Sequence, residues 1–401
     1  MMAASQPPPP CPTMPTLTEE RRLIRDSARE FTMNRVLPLA NRLDPEKGAI
    51  PRELIDEMAE LGYFGILIPE EYGGLGLGAF EYCTVAEELT RGWMSVGSLI
   101  ARGNNLIGAL KYLSDDKKRE YLPRMARGEF LGAFSLSEPN AGSDVANISC
   151  RAERVGGDWE ITGSKYWCTF ADQADFIVVI ARTDPVVDPK ARHRGLSAFL
   201  VEKPRGELPP GCQGSPIPKI GYHGWTTWEL AFDRCRVPAS AMVGEEGRGF
   251  YMATAGLETA RAHTAARSIG LAQGALEDAI AYARERRQFG EPIGHFQAIR
   301  FKLAQMATEI EAARSLMYSV CEKIDTGIRC DTEAAMVKLF ASEMSERVTS
   351  EGLQIHGGAG YTTHFAAERY WRDARLTKIF EGTSEIQMRI ISDALLGKVP
   401  R

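Results

Sequence analysis

The chain has 401 residues, of which 44% are hydrophobic and 25% are charged, and its formal net charge is −5. This apolar content supports a large core and excludes a wholly disordered chain. At roughly 150 residues per domain, the length predicts two to three domains. The negative charge argues against a nucleic-acid-binding protein, and no run approaches the roughly 20 apolar residues that a membrane helix needs.

The first 16 residues contain a proline run and are predicted to form a disordered tail. They have neither the apolar core of a signal peptide nor the arginines of a transit peptide. The eight cysteines include no C-x-x-C pair, and the six histidines show no ligand spacing. We therefore expect reduced thiols and no metal site. A bacterial cytoplasmic location is predicted, with a mitochondrial matrix protein that has lost its transit peptide as the alternative.

Helical periodicity begins after Thr18, where Glu19 and Glu20 occupy a predicted first turn, and it extends to about residue 127. Pro51 suits the first position of a further helix, and Gly62 could close it. These signals predict an N-terminal α-helical domain over residues 17–129.

Short β-rich runs follow, and they predict a middle antiparallel β domain over residues 130–244, in the form of a barrel or a sandwich. The runs are residues 151–155, 159–162, 176–181, 196–202 and 227–232. Gly156-Gly157-Asp158 separates the first two runs and is typical of a hairpin turn.

Helical periodicity returns over residues 245–401, with long segments near 250–287, 295–326 and 331–355. Long helices with short connections indicate an antiparallel bundle. Ser384 to Gln387 matches a capping box that opens a terminal helix. The order of helical, β and helical regions predicts an α+β protein.

The sequence contains no complete G-x-G-x-x-G after a strand, no P-loop, no H-E-x-x-H and no G-x-S-x-G. Five other segments combine glycines, hydroxyls, aromatic rings or arginines in patterns that suit a flat or phosphate-bearing ligand. They are residues 134–145, 165–170, 284–297, 354–361 and 378–387. Taken singly, each also has an ordinary structural interpretation as a loop, core residue, charged helix end, helix cap or surface turn.

The order and spacing of four motifs resemble the acyl-CoA dehydrogenase family. The motifs are S-E-P-N-A-G-S-D at 137–144, R-R-Q-F-G at 286–290, Q-I-H-G-G-A-G at 354–360 and I-F-E-G-T-S-E-I-Q at 379–387. The resemblance covers residues 17–398. It implies an N-terminal α domain, a middle β domain, a C-terminal four-helix bundle and FAD as the cofactor. It also implies a homotetramer built as a dimer of dimers, and electron-transferring flavoprotein as the electron acceptor.

The resemblance also assigns roles to individual residues. Those implied to flank or cover the flavin are Phe134, Leu136, Ser137, Ser143, Trp167 and Thr169. Those implied to reach the FAD of a neighbouring subunit are Arg286, Gln288, Phe289 and Gln297. Those implied to hold the adenosine or pyrophosphate part, or otherwise to contact FAD, are Gln354, Gly357, Gly358, Thr383 and Glu385.

Glu381 stands where the resemblance implies the catalytic base. Glu381 would remove the α-proton of an acyl-CoA thioester while flavin N5 accepts the β-hydride, which gives the trans-2-enoyl-CoA. The backbone N–H of Glu381 would donate a hydrogen bond to the thioester oxygen. The implied substrate contacts are Ser143, Glu258, Arg261, Phe380 and Gly382. For Glu258 and Arg261 the alternative is an ordinary i, i+3 ion pair on a helix.

Arg91 begins the motif R-x-x-M-S-V-x-S, in which it resembles the arginine that holds the distal carboxylate in glutaryl-CoA dehydrogenase. The alternative is that Arg91 caps a helix or pairs with Glu87 or Glu88. Trp93 could equally shorten the acyl pocket. We therefore expect a short, branched, polar or dicarboxylic acyl-CoA. An acyl-CoA oxidase of the same superfamily and a non-enzymatic relative are the alternative functions.

Overall fold

The computed structural model describes residues 17–104, 112–186, 188 and 191–398, so the predicted tail lies outside the described residues. The first helix begins directly after Thr18, as the sequence predicts, and Thr18 caps it by accepting a hydrogen bond from the Arg21 N–H at 3.2 Å. The first helix continues through a π-helical stretch, Thr32–Val36. The helices of the first part are α1 (Glu19–Phe31), α2 (Leu37–Leu43), α3 (Arg52–Glu60), α4 (Ala79–Gly92), α5 (Met94–Leu99), α6 (Ala101–Asn104) and α7 (Asp115–Ala126).

The middle part of the chain forms one sheet with the strand order β6-β7-β3-β2-β4-β5-β8. Gly156 and Gly157 have φ values of +60° and +95° and join β2 to β3, which confirms the predicted hairpin. The strands are β1 (Gly132–Ser135), β2 (Arg151–Val155), β3 (Asp158–Thr169), β4 (Phe176–Arg182), β5 (Leu196–Glu202), β6 (Cys212–Pro216), β7 (Thr227–Val237) and β8 (Met242–Val243).

The sheet is mixed, which corrects the expectation of a purely antiparallel one. β1 pairs in parallel with β4 from Gly132 to Ser135, and β2 meets the end of the same strand in parallel at Arg151 and Arg182. The two strands therefore run in the same direction along β4, which pairs with β5 on its other edge. The other pairings are antiparallel.

The C-terminal part forms the predicted helical bundle, and its three long helices begin and end close to the predicted positions. The elements are α8 (Gly249–Thr254), α9 (Leu257–Glu285), β9 (Arg287–Gln288), β10 (Glu291–Pro292), α10 (Gln297–Asp325), α11 (Asp331–His356), α12 (Ala367–Thr377) and α13 (Ser384–Leu396). The last helix is capped by Thr383, whose Oγ1 accepts the Ile386 N–H at 3.3 Å. This moves the predicted cap one residue earlier, because the Ser384 hydroxyl instead donates to Glu343.

Helix α9 connects the bundle to the N-terminal helices, since it packs on α4, α10 and α11. Two glycines allow this close approach. A Cβ at Gly270 would lie 2.3 Å from the Glu87 carbonyl oxygen, and one at Gly274 would lie 2.6 Å from the Arg91 carbonyl oxygen. Within the described part of the chain, no helix is both long and apolar enough to cross a membrane.

Candidate active site

Glu381 lies in the short connection between α12 and α13, with its backbone in the left-handed region at φ +54°. This conformation is uncommon for a residue with a side chain and often marks a functional position. The carboxylate accepts a hydrogen bond from Arg267 at Oε1, 2.7 Å away, and one from the Thr264 hydroxyl at Oε2. Its side chain is 31% exposed, so the carboxylate is held from one side and open on another.

The Arg267 side chain lies beneath Glu381 and is 2% exposed. Nη1 donates to the Ser98 hydroxyl at 2.9 Å, and Nη2 also donates to the Thr264 hydroxyl at 3.0 Å. The guanidinium lies 4.6 Å from the centre of the Phe380 ring. Burial opposes the charge of this arginine, but the Glu381 carboxylate outweighs it and raises the pKa of Arg267.

Tyr82 and His263 stack beside this ion pair, with ring centroids 4.6 Å apart. His263 Nε2 lies 3.2 Å from the Gly97 carbonyl oxygen, and burial lowers the pKa of His263 well below its ordinary value. Burial also raises the pKa of Tyr82 far above its ordinary value. The Tyr82 hydroxyl is buried and has no hydrogen-bond partner among the described residues. The site therefore contains a neutral phenol whose hydrogen bond is unused.

Lys338 supports the backbone next to Glu381. Its side chain is fully buried on α11, and Nζ donates to the Gly382 carbonyl oxygen at 2.6 Å. Burial lowers the pKa of Lys338 to about 8, although the Glu381 carboxylate acts in the opposite direction. Gly382 itself has φ +92°, so the turn that carries Glu381 consists of two consecutive left-handed residues.

The loop after β1 is held by a buried ion pair. Lys165 Nζ lies 2.9 Å from Glu138 Oε1 and also donates to the Leu136 carbonyl oxygen at 3.0 Å. The Ser137 carbonyl oxygen accepts the N–H of Tyr166 at 2.8 Å. Phe134, Leu136 and Ser137 are half-buried, while Ser143 is exposed farther along the same loop. The structure therefore orders this predicted flavin-contacting loop against β3.

Trp167 presents its indole outward, with 56% of the residue exposed. Its backbone is left-handed at φ +65°, and it lies within an irregularity of the β3–β7 pairing between Lys165 and Cys168. A bulge of this kind redirects a side chain. Thr169, two residues on, shares a hydroxyl–hydroxyl hydrogen bond of 3.0 Å with Thr227. An exposed flat ring and a nearby hydroxyl thus lie at one end of the strand.

The predicted intersubunit residues lie around a small exposed hairpin. Arg286, Gln288 and Gln297 are exposed, and Phe289 is 97% exposed with φ +53° at the hairpin tip. An apolar ring so fully exposed suits an interface with another molecule. The structure places these residues together at the ends of α9 and α10.

Gln354 is exposed in the last turn of α11, and the glycines that follow have open surroundings. A Cβ at Gly357 or Gly358 would meet no atom within 4 Å, so a ligand can approach the backbone there. Thr383 and Glu385 lie at the start of α13. Hydrogen bonds to its own backbone N–H and to Thr383 lower the pKa of the exposed Glu385 carboxyl group.

Glu258 and Arg261 both contact the start of α11 rather than pairing with each other as an ordinary i, i+3 ion pair. Glu258 Oε1 accepts the N–H of Cys330 at 2.7 Å. Arg261 Nη1 lies 3.4 Å from the Asp331 carbonyl oxygen and 4.0 Å from its carboxylate. Burial lowers the pKa of Arg261, so a guanidinium with weak partners lies at this helix junction.

Arg91 does not present a free guanidinium. It forms two hydrogen bonds with Glu88, at 2.7 and 3.0 Å, and Nη1 binds Glu277. The side chain is only 5% exposed. The structure thus supports the alternative in which Arg91 pairs with Glu88, and it corrects the expectation that this residue binds a distal carboxylate of the substrate. The physical reason is that two carboxylates, the buried Glu88 and the half-buried Glu277, already neutralise the cation.

The sequence-based predictions missed Arg267, Thr264, Tyr82 and Lys338, which the fold brings to Glu381. One local signal existed for the first two. The buried part of α9 consists largely of alanines and other small residues, and this pattern is interrupted by His263, Thr264 and Arg267. A charged residue in such a run needs a partner, but the sequence does not reveal which one.

The donor set fits FAD. The exposed indole of Trp167 suits a flat ring system, and the open glycine backbone at 357–358 suits a phosphate or an adenosine. The backbone is left-handed at Trp167 and at Gly357, with φ values of +65° and +59°.

Family models match nearly the whole chain. The acyl-CoA dehydrogenase N-terminal domain matches residues 18–129, the middle domain residues 133–235 and the C-terminal domain residues 247–396. The chain therefore belongs to the acyl-CoA dehydrogenase family. It is an FAD-dependent oxidoreductase that acts on the CH–CH group of an acyl-CoA.

Individual relatives agree with this assignment. The chain is 41% identical to the (2S)-methylsuccinyl-CoA dehydrogenase of Cereibacter sphaeroides, over 95% of this chain and 70% of that protein. It is 39% identical to an acyl-CoA dehydrogenase of Bacillus subtilis, over 95% of this chain and 99% of that protein. The butyryl-CoA dehydrogenase structure from Megasphaera elsdenii superposes with a TM-score of 0.89 at 35% identity, and the match covers 96% of this chain and 100% of that one.

Proposed function

We propose that this protein removes the α-proton of an acyl-CoA with Glu381 as the base. The observation that carries this proposal is the geometry of Glu381. Its carboxylate is held by Arg267 and Thr264 on its buried side and is open on the other side, at a strained turn. A base needs a fixed orientation and access to its proton donor, and this arrangement supplies both.

The backbone of the same residue supports activation of the thioester. The N–H of Glu381 donates to no acceptor among the described residues. A thioester oxygen placed against this N–H would gain a hydrogen bond that strengthens as enolate charge develops. Lys338 holds the neighbouring Gly382 carbonyl, so the chain fixes the direction of that donor.

FAD, when bound, supplies the acceptor for the β-hydride. We propose that Phe134, Leu136, Ser137, Trp167 and Thr169 contact its flavin. The residues proposed to bind the remainder of FAD or to reach that of a neighbouring subunit are Ser143, Arg286, Gln288, Phe289, Gln297, Gln354, Gly357, Gly358, Thr383 and Glu385. The exposure of Phe289 leaves its ring available for the intersubunit contact, and the homotetramer is proposed from the family resemblance.

The substrate is proposed to be a short, branched or polar acyl-CoA. The relatives include a (2S)-methylsuccinyl-CoA dehydrogenase, an isovaleryl-CoA dehydrogenase and a short-chain specific acyl-CoA dehydrogenase. Membership of the family therefore does not determine the acyl group. Phe380 and Gly382 flank Glu381, and we propose that they contact the acyl group. We propose that Glu258 and Arg261 contact the CoA part of the substrate. Electron-transferring flavoprotein is the proposed acceptor, and the cytoplasm is the proposed location.

The test is an anaerobic visible titration of the purified FAD-containing protein with a panel of acyl-CoA thioesters. We expect the flavin band near 450 nm to bleach with one acyl class. Glu381→Gln should retain FAD and lose at least about three orders of magnitude in bleaching rate. The matched control is Glu309→Gln, which makes the same exchange at a half-buried carboxylate that pairs with Arg347 at 2.9 Å. Near-normal bleaching in Glu381→Gln would remove Glu381 from the mechanism, and rapid reoxidation by air would indicate an oxidase instead.

A further inference from the structure

Arg267 is a buried cation whose only carboxylate partner among the described residues is the proposed base. Nη2 lies 2.7 Å from Glu381 Oε1, and the other contacts of the guanidinium are hydroxyls, the His263 carbonyl oxygen and the Phe380 ring. An arginine does not lose its proton inside a protein. The guanidinium therefore needs an anion at every stage of the reaction.

The proposed reaction removes that anion. When Glu381 accepts the α-proton its carboxyl group becomes neutral, and Arg267 is left with neutral partners in a buried position. An unpaired buried charge is costly. Lys338, which interacts electrostatically with both Glu381 and Arg267, adds a second cation on the same side. The negative charge that Glu381 loses passes with the hydride to FAD, so a neutral acyl chain would leave the two cations beside the proton acceptor without an anion in contact with them.

We propose that Arg267 binds a carboxylate at the distal end of a short acyl-CoA and exchanges Glu381 for it when the substrate binds, while the Thr264 hydroxyl and the left-handed turn continue to hold Glu381. This inference rests on the proposed function and narrows its substrate class. The planar guanidinium accommodates a carboxylate through two parallel hydrogen bonds. The pair formed by Arg267 and the substrate carboxylate stays neutral when Glu381 gains its proton and the hydride leaves for FAD, so Arg267 keeps an anion in contact with it throughout the transfer.

The geometry limits the length of the acyl group. A base approaches its proton donor to about 3 Å between heavy atoms. Since Nη2 lies 2.7 Å from Glu381 Oε1, Arg267 lies within roughly 6 Å of the substrate α-carbon. A carboxylate separated from that carbon by one or two methylene groups fits this distance, which corresponds to succinyl- or glutaryl-sized acyl groups.

Tyr82 is a second, independent observation at the same place. Its hydroxyl is fully buried without a partner among the described residues, and it interacts electrostatically with both Arg267 and Glu381. A buried hydroxyl without a partner is rare in a folded protein and calls for a ligand or a water molecule. A carboxylate bound to Arg267 would accept the hydrogen bond that this phenol does not otherwise make.

The experiment compares acyl-CoA pairs of equal chain length in the FAD-containing protein. The pairs are succinyl-CoA with butyryl-CoA and glutaryl-CoA with pentanoyl-CoA. We expect the wild type to favour the charged member of at least one pair by about 30-fold or more in kcat/KM. Arg267→Met should lower kcat/KM for both members, because Glu381 loses a contact that orients it, but the loss should be about 30-fold larger for the charged member, which also loses its carboxylate partner. Arg267→Lys should restore part of the preference for the charged acyl group, because lysine keeps the positive charge but lacks the two parallel N–H donors of the guanidinium.

A binding measurement keeps the inference testable if the Arg267 variants fail to fold. In Glu381→Gln the guanidinium lacks its own carboxylate, so this variant should bind glutaryl-CoA at least about tenfold more tightly than pentanoyl-CoA by calorimetry. Equal affinities would overturn the inference. A wild type that prefers the neutral acyl groups would also overturn it, as would an Arg267→Met variant that loses the same factor on both members of a pair. These outcomes leave the proposed dehydrogenation intact, whereas no bleaching by any acyl-CoA would refute both.

Discussion

Replacement of Lys338 by methionine should stabilise the fold near neutral pH while it impairs catalysis. Lys338 is fully buried, and burial lowers its pKa to about 8 from the ordinary 10.5. A shift of about 2.5 pH units corresponds to about 3 kcal/mol between the protonation states. The lost hydrogen bond to Gly382 offsets part of this gain, but Gln387 Nε2 also donates to that carbonyl at 3.0 Å. We therefore expect a net gain of about 1–3 kcal/mol in the free energy of unfolding at pH 7.

The sign of the pH dependence follows from the lowered pKa. Below about pH 8 the lysine is protonated in both the folded and unfolded states, so the wild type bears the full cost of the buried charge. Between about pH 8 and 10.5 the folded state releases the proton and the unfolded state keeps it, so the stability of the wild type rises. The advantage of Lys338→Met should therefore shrink across this range.

Urea unfolding at pH 7 and pH 9.5, followed by far-ultraviolet circular dichroism, measures both effects. The matched control is Lys323→Met, since Lys323 is partly exposed and pairs with Glu333 at the surface. That control should change stability by less than about 1 kcal/mol at either pH. Steady-state kinetics should show that Lys338→Met loses about tenfold or more in kcat, because the turn that orients Glu381 loses a fixed contact. A variant that is less stable at pH 7, or an advantage that does not shrink at pH 9.5, would refute the reasoning.

Two further predictions concern other parts of the molecule. Trp167→Ala should lower the affinity for FAD by about tenfold or more, because the exposed indole is proposed to cover the flavin. The melting temperature of the apoprotein should stay within about 1 °C of the wild type. An unchanged FAD affinity in a fluorescence titration would contradict this prediction. Burial raises the pKa of Asp373 to about 7, so the wild type should lose stability as the pH rises from about 4 to 7. Asp373→Asn keeps an acceptor for the Tyr222 N–H and should be more stable than the wild type at pH 8. In thermal melts, this difference in stability should vanish below pH 4. A variant that melts at a lower temperature than the wild type at pH 8 would contradict the raised pKa of Asp373.

The secondary structure of the protein could be predicted largely from local patterns. The Thr18 cap, the Gly156-Gly157 hairpin and the long C-terminal helices follow from residues adjacent in the chain, because capping, turn geometry and helical periodicity act over a few positions. The family motifs also singled out Glu381 as the proposed base, since its neighbours form a continuous segment. Local patterns did not reveal that β1 and β2 follow the same edge of β4, because the pairing partner of a strand lies elsewhere in the sequence.

The partner of Arg267 was decided by tertiary structure alone. Arg91 and Arg267 look equally available in the sequence, and the motif around Arg91 favoured it as the carboxylate-binding residue. Arg91 takes one carboxylate from its own helix, Glu88, and packing of α9 against α4 adds Glu277. The fold also brings Arg267 of α9 to Glu381, 114 positions farther along the chain. The sequence determined which residues carry charge and which segments are helical. The fold determined which cation faces the proposed base, because buried charges take their partners from whichever helices pack together in three dimensions.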